Sequence, residues 1–199
     1  MDTRAPRHNL GMERPRPLGT GFPRPRPTVG LALLAVLLAP SCGGEPLGPE
    51  DVLPQPDAPF QTSALQYTLA DDGYAYHIII PTSYLNRSST TVYAWPCGWA
   101  LDRKTGSSWS VAFTPVCPGI GVPPKSYAPG VPYVVDFSVS GAYAPNTFPR
   151  FAITPTPGVY RFRVELYARA NYSFGGIPTL EDPLSLAARI SNEFWLGLP

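Results

Sequence analysis

Histidine is nearly missing from this 199-residue chain: His8 lies close to the start, and only His77 follows it. A Ser-His-Asp or Cys-His mechanism would therefore have to be built on His77. The motifs that accompany such chemistry are missing too, with no Gly-x-Ser-x-Gly elbow, His-Glu-x-x-His or phosphate loop. Cysteine is scarce. Cys42, Cys97 and Cys117 form no Cys-x-x-Cys pair and have no histidine at ligand spacing, which argues against a zinc or redox centre. Long apolar runs are also lacking, since the run from Val29 to Ala39 is well short of the about 20 residues that a membrane-spanning helix needs. Beyond Cys42 there are nine Lys/Arg against twelve Asp/Glu and no basic cluster. That balance leaves no footprint for nucleic acid and no polybasic hold on anionic lipid. No repeat recurs at a fixed period, so a solenoid is disfavoured. The expectation is a non-catalytic protein with no metal and no cofactor.

What is present begins with an export signal. Arg14, Arg16, Arg24 and Arg26 precede the apolar run, and small residues Ala39 and Ser41 lead to Cys42-Gly43-Gly44. A positive n-region, an apolar h-region and a small-residue cut describe a secretory signal peptide over residues 1–41. The n-region is long, and Met12 is an alternative start to Met1. With Cys42 directly after the cut, the region resembles the lipobox of bacterial lipoproteins, although Ala39 stands where that family favours Leu. The resemblance implies acylation of Cys42 and attachment to the bacterial cell envelope through N-terminal lipid. Gly43, rather than Asp, favours the outer membrane or cell surface. Ordinary cleavage at the same bond would instead give a soluble periplasmic or secreted protein. Acylation of Cys42 would leave Cys97 and Cys117 to pair in an oxidising compartment.

Residues 42–59 carry Pro46, Pro49, Pro54, Pro56 and Pro59 and read as a flexible, extended tether behind the lipidated Cys42. Residues 60–199 are enough for one domain with its own core. Their pattern is period-2. In 131–140, Tyr133, Val135, Phe137 and Val139 share one face and Asp136, Ser138 and Ser140 the other, with Val134 out of pattern. In 159–167, Tyr160, Phe162, Val164 and Leu166 alternate with Arg161, Arg163 and Glu165. Trp109, Val111 and Phe113 alternate with Ser108, Ser110 and Ala112. Such alternation marks strands with one face on a core. Further strands are expected at 65–69, 74–80, 90–95, 101–104, 148–153 and 190–196, with a hairpin at Lys104-Thr105-Gly106. Leu184, Leu186, Ala188 and Ile190 alternate and favour a strand, although Asp182-Pro183 also suits the start of a short helix. Many short strands between Pro/Gly turns make the fold all-β, an antiparallel β-sandwich.

The stretch Pro157-Gly-Val-Tyr160-Arg-Phe162 resembles strand F of immunoglobulin-like sandwiches, where the Tyr hydroxyl ties back to nearby backbone. Phe162 stands where antibody domains carry their second cysteine. Tyr84 to Cys97 (with Asn86-Arg-Ser88), Gly106 to Trp109, Cys117, Pro129-Gly130, Pro157 to Arg161 and Ser191 to Phe194 together resemble Ig-like domains of uncharacterised bacterial lipoproteins. That resemblance implies an Ig-like module with an interaction or envelope-structural role. The Pro-Gly turn and Gly-x-Tyr strand are also similar to BsuPI-type proteinase inhibitors, with 119–132 as the candidate loop. Trp95 and Trp99 near Cys97 suggest a third reading, an aromatic platform for a glycan or protein partner. The pairs Asp71-Asp72 and Glu181-Asp182 lie beside Gly73 and Pro183 and read as solvated turns.

Overall fold

The computed structural model describes residues 48–117, 122–142, 149, 151–172, 176 and 178–199. Cys42 and the leader therefore lie outside the described residues. Eleven strands follow one another: β1 (Phe60–Thr62), β2 (Gln66–Thr68), β3 (Ala70–Asp71), β4 (Ala75–Leu85), β5 (Val92–Thr105) and β6 (Ser108–Phe113), then β7 (Lys125–Tyr127), β8 (Pro132–Ala142), β9 (Gly158–Asn171), β10 (Thr179–Pro183) and β11 (Phe194–Gly197). In the first sheet β4 is central, with β8 on one edge and β1 and β3 on the other. The second sheet runs β2-β11-β9-β5-β6, with β10 also pairing β9 and β7 also pairing β5. Pairing between these strands is antiparallel, except that β2 runs parallel to β11, and Phe60 of β1 makes a single parallel bridge to Ser191. The chain thus crosses from one sheet to the other between β1 and β2.

Against the ABED and CFG sheets of an immunoglobulin-like sandwich, β1, β4 and β8 take the places of A, B and E. β5, β9 and β11 take those of C, F and G. No strand stands in the place of D beside β8 among the described residues. The fold is the all-β sandwich that the alternation indicates.

Between the sheets Phe137 of β8 stacks on Phe162 of β9 at 4.1 Å, and within the first sheet Phe60 of β1 stacks on Tyr84 of β4 at 4.3 Å. The inward face of β9 is as expected, with Tyr160, Phe162, Val164 and Leu166 buried. At the start of β9, the Tyr160 hydroxyl donates to the Thr156 carbonyl at 2.7 Å, tying the strand to the turn before it. β4 runs through Pro81, past the expected stop at residue 80. Leu85 N–H and the Pro81 carbonyl both bond toward β1, so the ring nitrogen of Pro81 removes no donor from the β4–β8 ladder.

Burial of the tyrosines carries a pH consequence. Tyr84 is pushed up to about 12 by burial, with Tyr127 nearby adding to it, and burial also raises Tyr127 and Tyr160. A hydroxyl that ionises less readily folded than unfolded contributes stability below its ordinary pKa of about 10 and loses it above. Unfolding free energy should therefore fall as pH rises from 10 toward 12. Urea melts with tyrosinate absorbance followed in parallel would check this, and a flat profile would contradict it.

Four expectations are corrected. The strand favoured over 184–190 is instead a 3-10 turn at Leu186–Ala188. Asp182 takes a left-handed φ of 58°, and Leu184 N–H bonds Leu166, so the chain leaves β10 and turns along β9. The tether is docked on the sandwich from Gly48 onward, beginning with a 3-10 turn at Pro49–Asp51, and Val52 is buried. There the Gln61 side chain donates to the carbonyls of Gln55 and Ala58, and Asp57 pairs with Arg87. Residues 42–47 lie outside the described region. In β6 the register slips so that Leu101 faces Phe113 and Asp102 faces Val111. Trp109 and Val111 therefore lie on the outer face beside Lys104 and Asp102, while Phe113 turns into the core. For the strand at 148–153, Phe148 and Arg150 are outside the described residues, and Phe151 makes a single bridge to Phe113.

Candidate functional site

The strands expected at 90–95 and 101–104 are one, β5, interrupted where the second sheet bulges. Ala94 faces Leu166 and Trp99 faces Val164, so Trp95-Pro96-Cys97-Gly98 stands opposite Glu165 alone. Such an insertion bends a strand and re-aims its side chains. Gly98 permits it, since a Cβ there would lie 3.4 Å from the Glu165 carboxylate and 3.3 Å from the Trp95 Cβ. Cys97 bridges to Cys117, with the Cα atoms 5.5 Å apart, which fastens the bulge to the segment after β6. The disulfide closes a loop of 20 residues worth about 3 kcal/mol through the unfolded state. Reduction, or Cys97→Ala with Cys117→Ala, should lower stability by about that amount. Hydrogen exchange should then rise in β6 and the bulge while β4 and β8 keep their protection.

The two indoles proposed as a platform have different surroundings. Trp99 lies edge-on to Phe137 at 5.1 Å and Phe162 at 5.6 Å, and against Phe113 at 5.8 Å, so its ring belongs to the core. Trp95 sits in the bulge, partly buried. The geometry does not present them as one stacking surface. Trp109 does face cations, which the reading of 108–113 as plain alternation missed. The Arg161 guanidinium lies 4.0 Å from its centroid and Lys104 Nζ 5.6 Å.

Around Trp109 the outer face of β5 and β9 carries a charge network. Asp102 is only 3% exposed and accepts from Arg163 Nε at 2.9 Å and Nη2 at 3.1 Å. Arg161 Nε stands 3.8 Å from the same carboxylate. Lys104 reaches Glu193 Oε2 at 3.0 Å, and the Glu193 N–H donates to Gln55 of the docked N-terminal segment. The Asp102 hydrogen bond holds Arg163 above its ordinary value. Burial depresses Arg161, against the opposing pull of Asp102 and Glu193. Both acids of this network, Asp102 and Glu193, are already taken by cations.

Other candidate residues fall into structural roles. Asp72 accepts the N–H groups of Tyr74 and Ala75, and Asp71 that of Gly73, forming the turn between β3 and β4. Those bonds hold Asp72 below the ordinary carboxylate range. Asp182 and Glu181 pair with Arg169. His77 is exposed on β4 opposite Ser140. Asn86 is buried, its amide donating to Thr90 and Tyr127 and accepting from Ser88, so this sequon serves as a loop brace. The sequon at Asn171 includes Ser173, outside the described residues. In the proposed inhibitor loop, residues 119–121 are likewise outside, while Lys125–Tyr127 is built into the sheet as β7 with Tyr127 buried. Among the described residues no group of three His, Cys, Asp or Glu could hold a metal. An open cavity of about 270 Å³ lies between Tyr76, Phe151, Ile153 and Pro155. Comparison with known proteins gives no match to a family model, a curated protein or a solved structure.

Proposed function

We propose that this chain is an exported, lipid-anchored Ig-like module of a bacterial envelope, with an interaction or structural role and no catalysis. The observation that carries the reading is the coincidence of the apolar leader ending at Cys42 with a bridged Cys97–Cys117 pair in the domain that follows. Disulfides persist in oxidising compartments, so a domain held by one suits a chain that leaves the cytoplasm. Pairing of Cys97 with Cys117 also leaves Cys42 as the cysteine free for acylation. The acid pairs Asp71-Asp72 and Glu181-Asp182 are engaged in turn bonds and ion pairs, which favours a display scaffold over an enzyme.

The test is processing in a bacterial host. Globomycin should block maturation, labelled palmitate should enter the wild-type chain, and Cys42→Ser should abolish labelling while the domain still folds. Normal processing under the drug, with no lipid on Cys42, would overturn the anchoring.

A further inference from the structure

Among the described residues, the longest strand with an unfilled edge is β8. Its inner edge is paired to β4 along its whole length, from Pro132 opposite Leu85 to Ala142 opposite Ala75. No described strand pairs its other edge. The direction of its backbone groups follows from the bonds at its neighbours. The odd-numbered Pro81 and Leu85 bond toward β1, so the even-numbered residues of β4 meet the odd-numbered residues of β8. The even-numbered residues of β8 point their N–H and C=O groups outward, as the bond from Ala142 N–H to the Pro149 carbonyl shows directly. Val134, Asp136, Ser138 and Ser140 thus form an open row, and their side chains are exposed on the outer face, Val134 at 82%.

Sheet edges in soluble proteins are ordinarily blunted by lysine, proline within the strand, or a bulge. β8 has none of these: its proline is the first residue, its ladder is regular, and its one charge is Asp136. The chain enters the domain along the opposite edge of the sheet, through β1.

We propose that β8 is the seam of a two-fold homodimer, in which it pairs antiparallel with β8 of a second copy. With the axis at Phe137, Val134 meets Ser140 and Asp136 meets Ser138 of the other copy, and every open N–H and C=O in the row finds a partner. Each carboxylate then lies opposite a hydroxyl. A register centred on Asp136 would set the two carboxylates against each other, and charge disfavours it. The contact is isologous, which closes the assembly at two copies. It joins the two first sheets into one continuous sheet and fills the position that strand D would hold. This goes beyond the anchoring proposed above and does not depend on it.

The experiment is sedimentation equilibrium of the full-length chain in density-matched detergent, at about 1–100 µM. The expected mass is twice that of one chain, falling by half in Ser138→Lys with an unchanged circular-dichroism spectrum. Ser138→Pro is the second variant: the N–H it removes points outward, so the pairing with β4 survives and the mass again falls by half. Amide exchange at 134, 136 and 140 should be slow in the wild type and fast in Ser138→Lys. A monomeric wild type across that range would overturn the proposal, and so would a dimer that persists in both variants.

Discussion

Phe162→Ala should lower the unfolding free energy by about 3–5 kcal/mol, enough to threaten folding of a domain this size. Phe162 is fully buried at the centre of the sandwich. Its ring stacks on Phe137 at 4.1 Å, meets Trp99 edge-on at 5.6 Å and lies 5.3 Å from Phe194. Phe137 belongs to the first sheet and Phe162 to the second, so cross-sheet cohesion at this point rests on packed rings. Truncation leaves a cavity bounded by rings from several strands, which cannot all collapse inward. Phe162→Leu should recover part of the loss. A urea midpoint with an unchanged slope would measure both variants, and a loss below about 1 kcal/mol for the alanine variant would contradict the packing described.

Asp102→Ala should cost about 3 kcal/mol, the lower end for breaking a buried ion pair, because the Arg163 side chain keeps 29% of its exposure. The loss arises from what is left behind: Arg161 and Arg163, largely covered, without their shared carboxylate. The triple variant Asp102→Leu, Arg161→Met, Arg163→Met should regain most of it, since apolar residues of similar size often match a buried ionic cluster. It also removes the stacking of Arg161 on Trp109, worth about 1 kcal/mol. A triple variant no more stable than Asp102→Ala alone would show that the network holds the sheet by more than charge compensation.

Strand periodicity was legible because most strands here bury one face, so Val135, Phe137 and Val139 announce β8 and Tyr160 to Leu166 announce β9. The same rule failed wherever the pleat is broken. The bulge at Trp95–Gly98 and the slip between Leu101 and Asp102 depend on long-range partners, and no local pattern marks them. For that reason alternation pairs Trp99 with Trp95 and Trp109 with Phe113, whereas the ring contacts put Trp99 in the core and Trp109 on the outer face, with Phe113 still inside. The docked N-terminal segment was hidden by its composition. Its prolines suit a free tether, whereas its attachment uses side-chain bonds to Gln61 and Arg87 that no periodicity reports. Tyr160 was legible as a corner because Pro157-Gly158 places the turn just ahead of it. The Asp102 network was not, since its arginines read only as an outward face.

The parallel pairing of Gln66–Thr68 with Trp195–Gly197 has a mechanical consequence. The first chain segment enters this pair at one end and the last leaves it at the other. Tension applied between the two termini would load all the hydrogen bonds of that pair at once, in shear, instead of peeling them one by one. Stretched from both ends, the domain would resist in part through a pairing only three residues long.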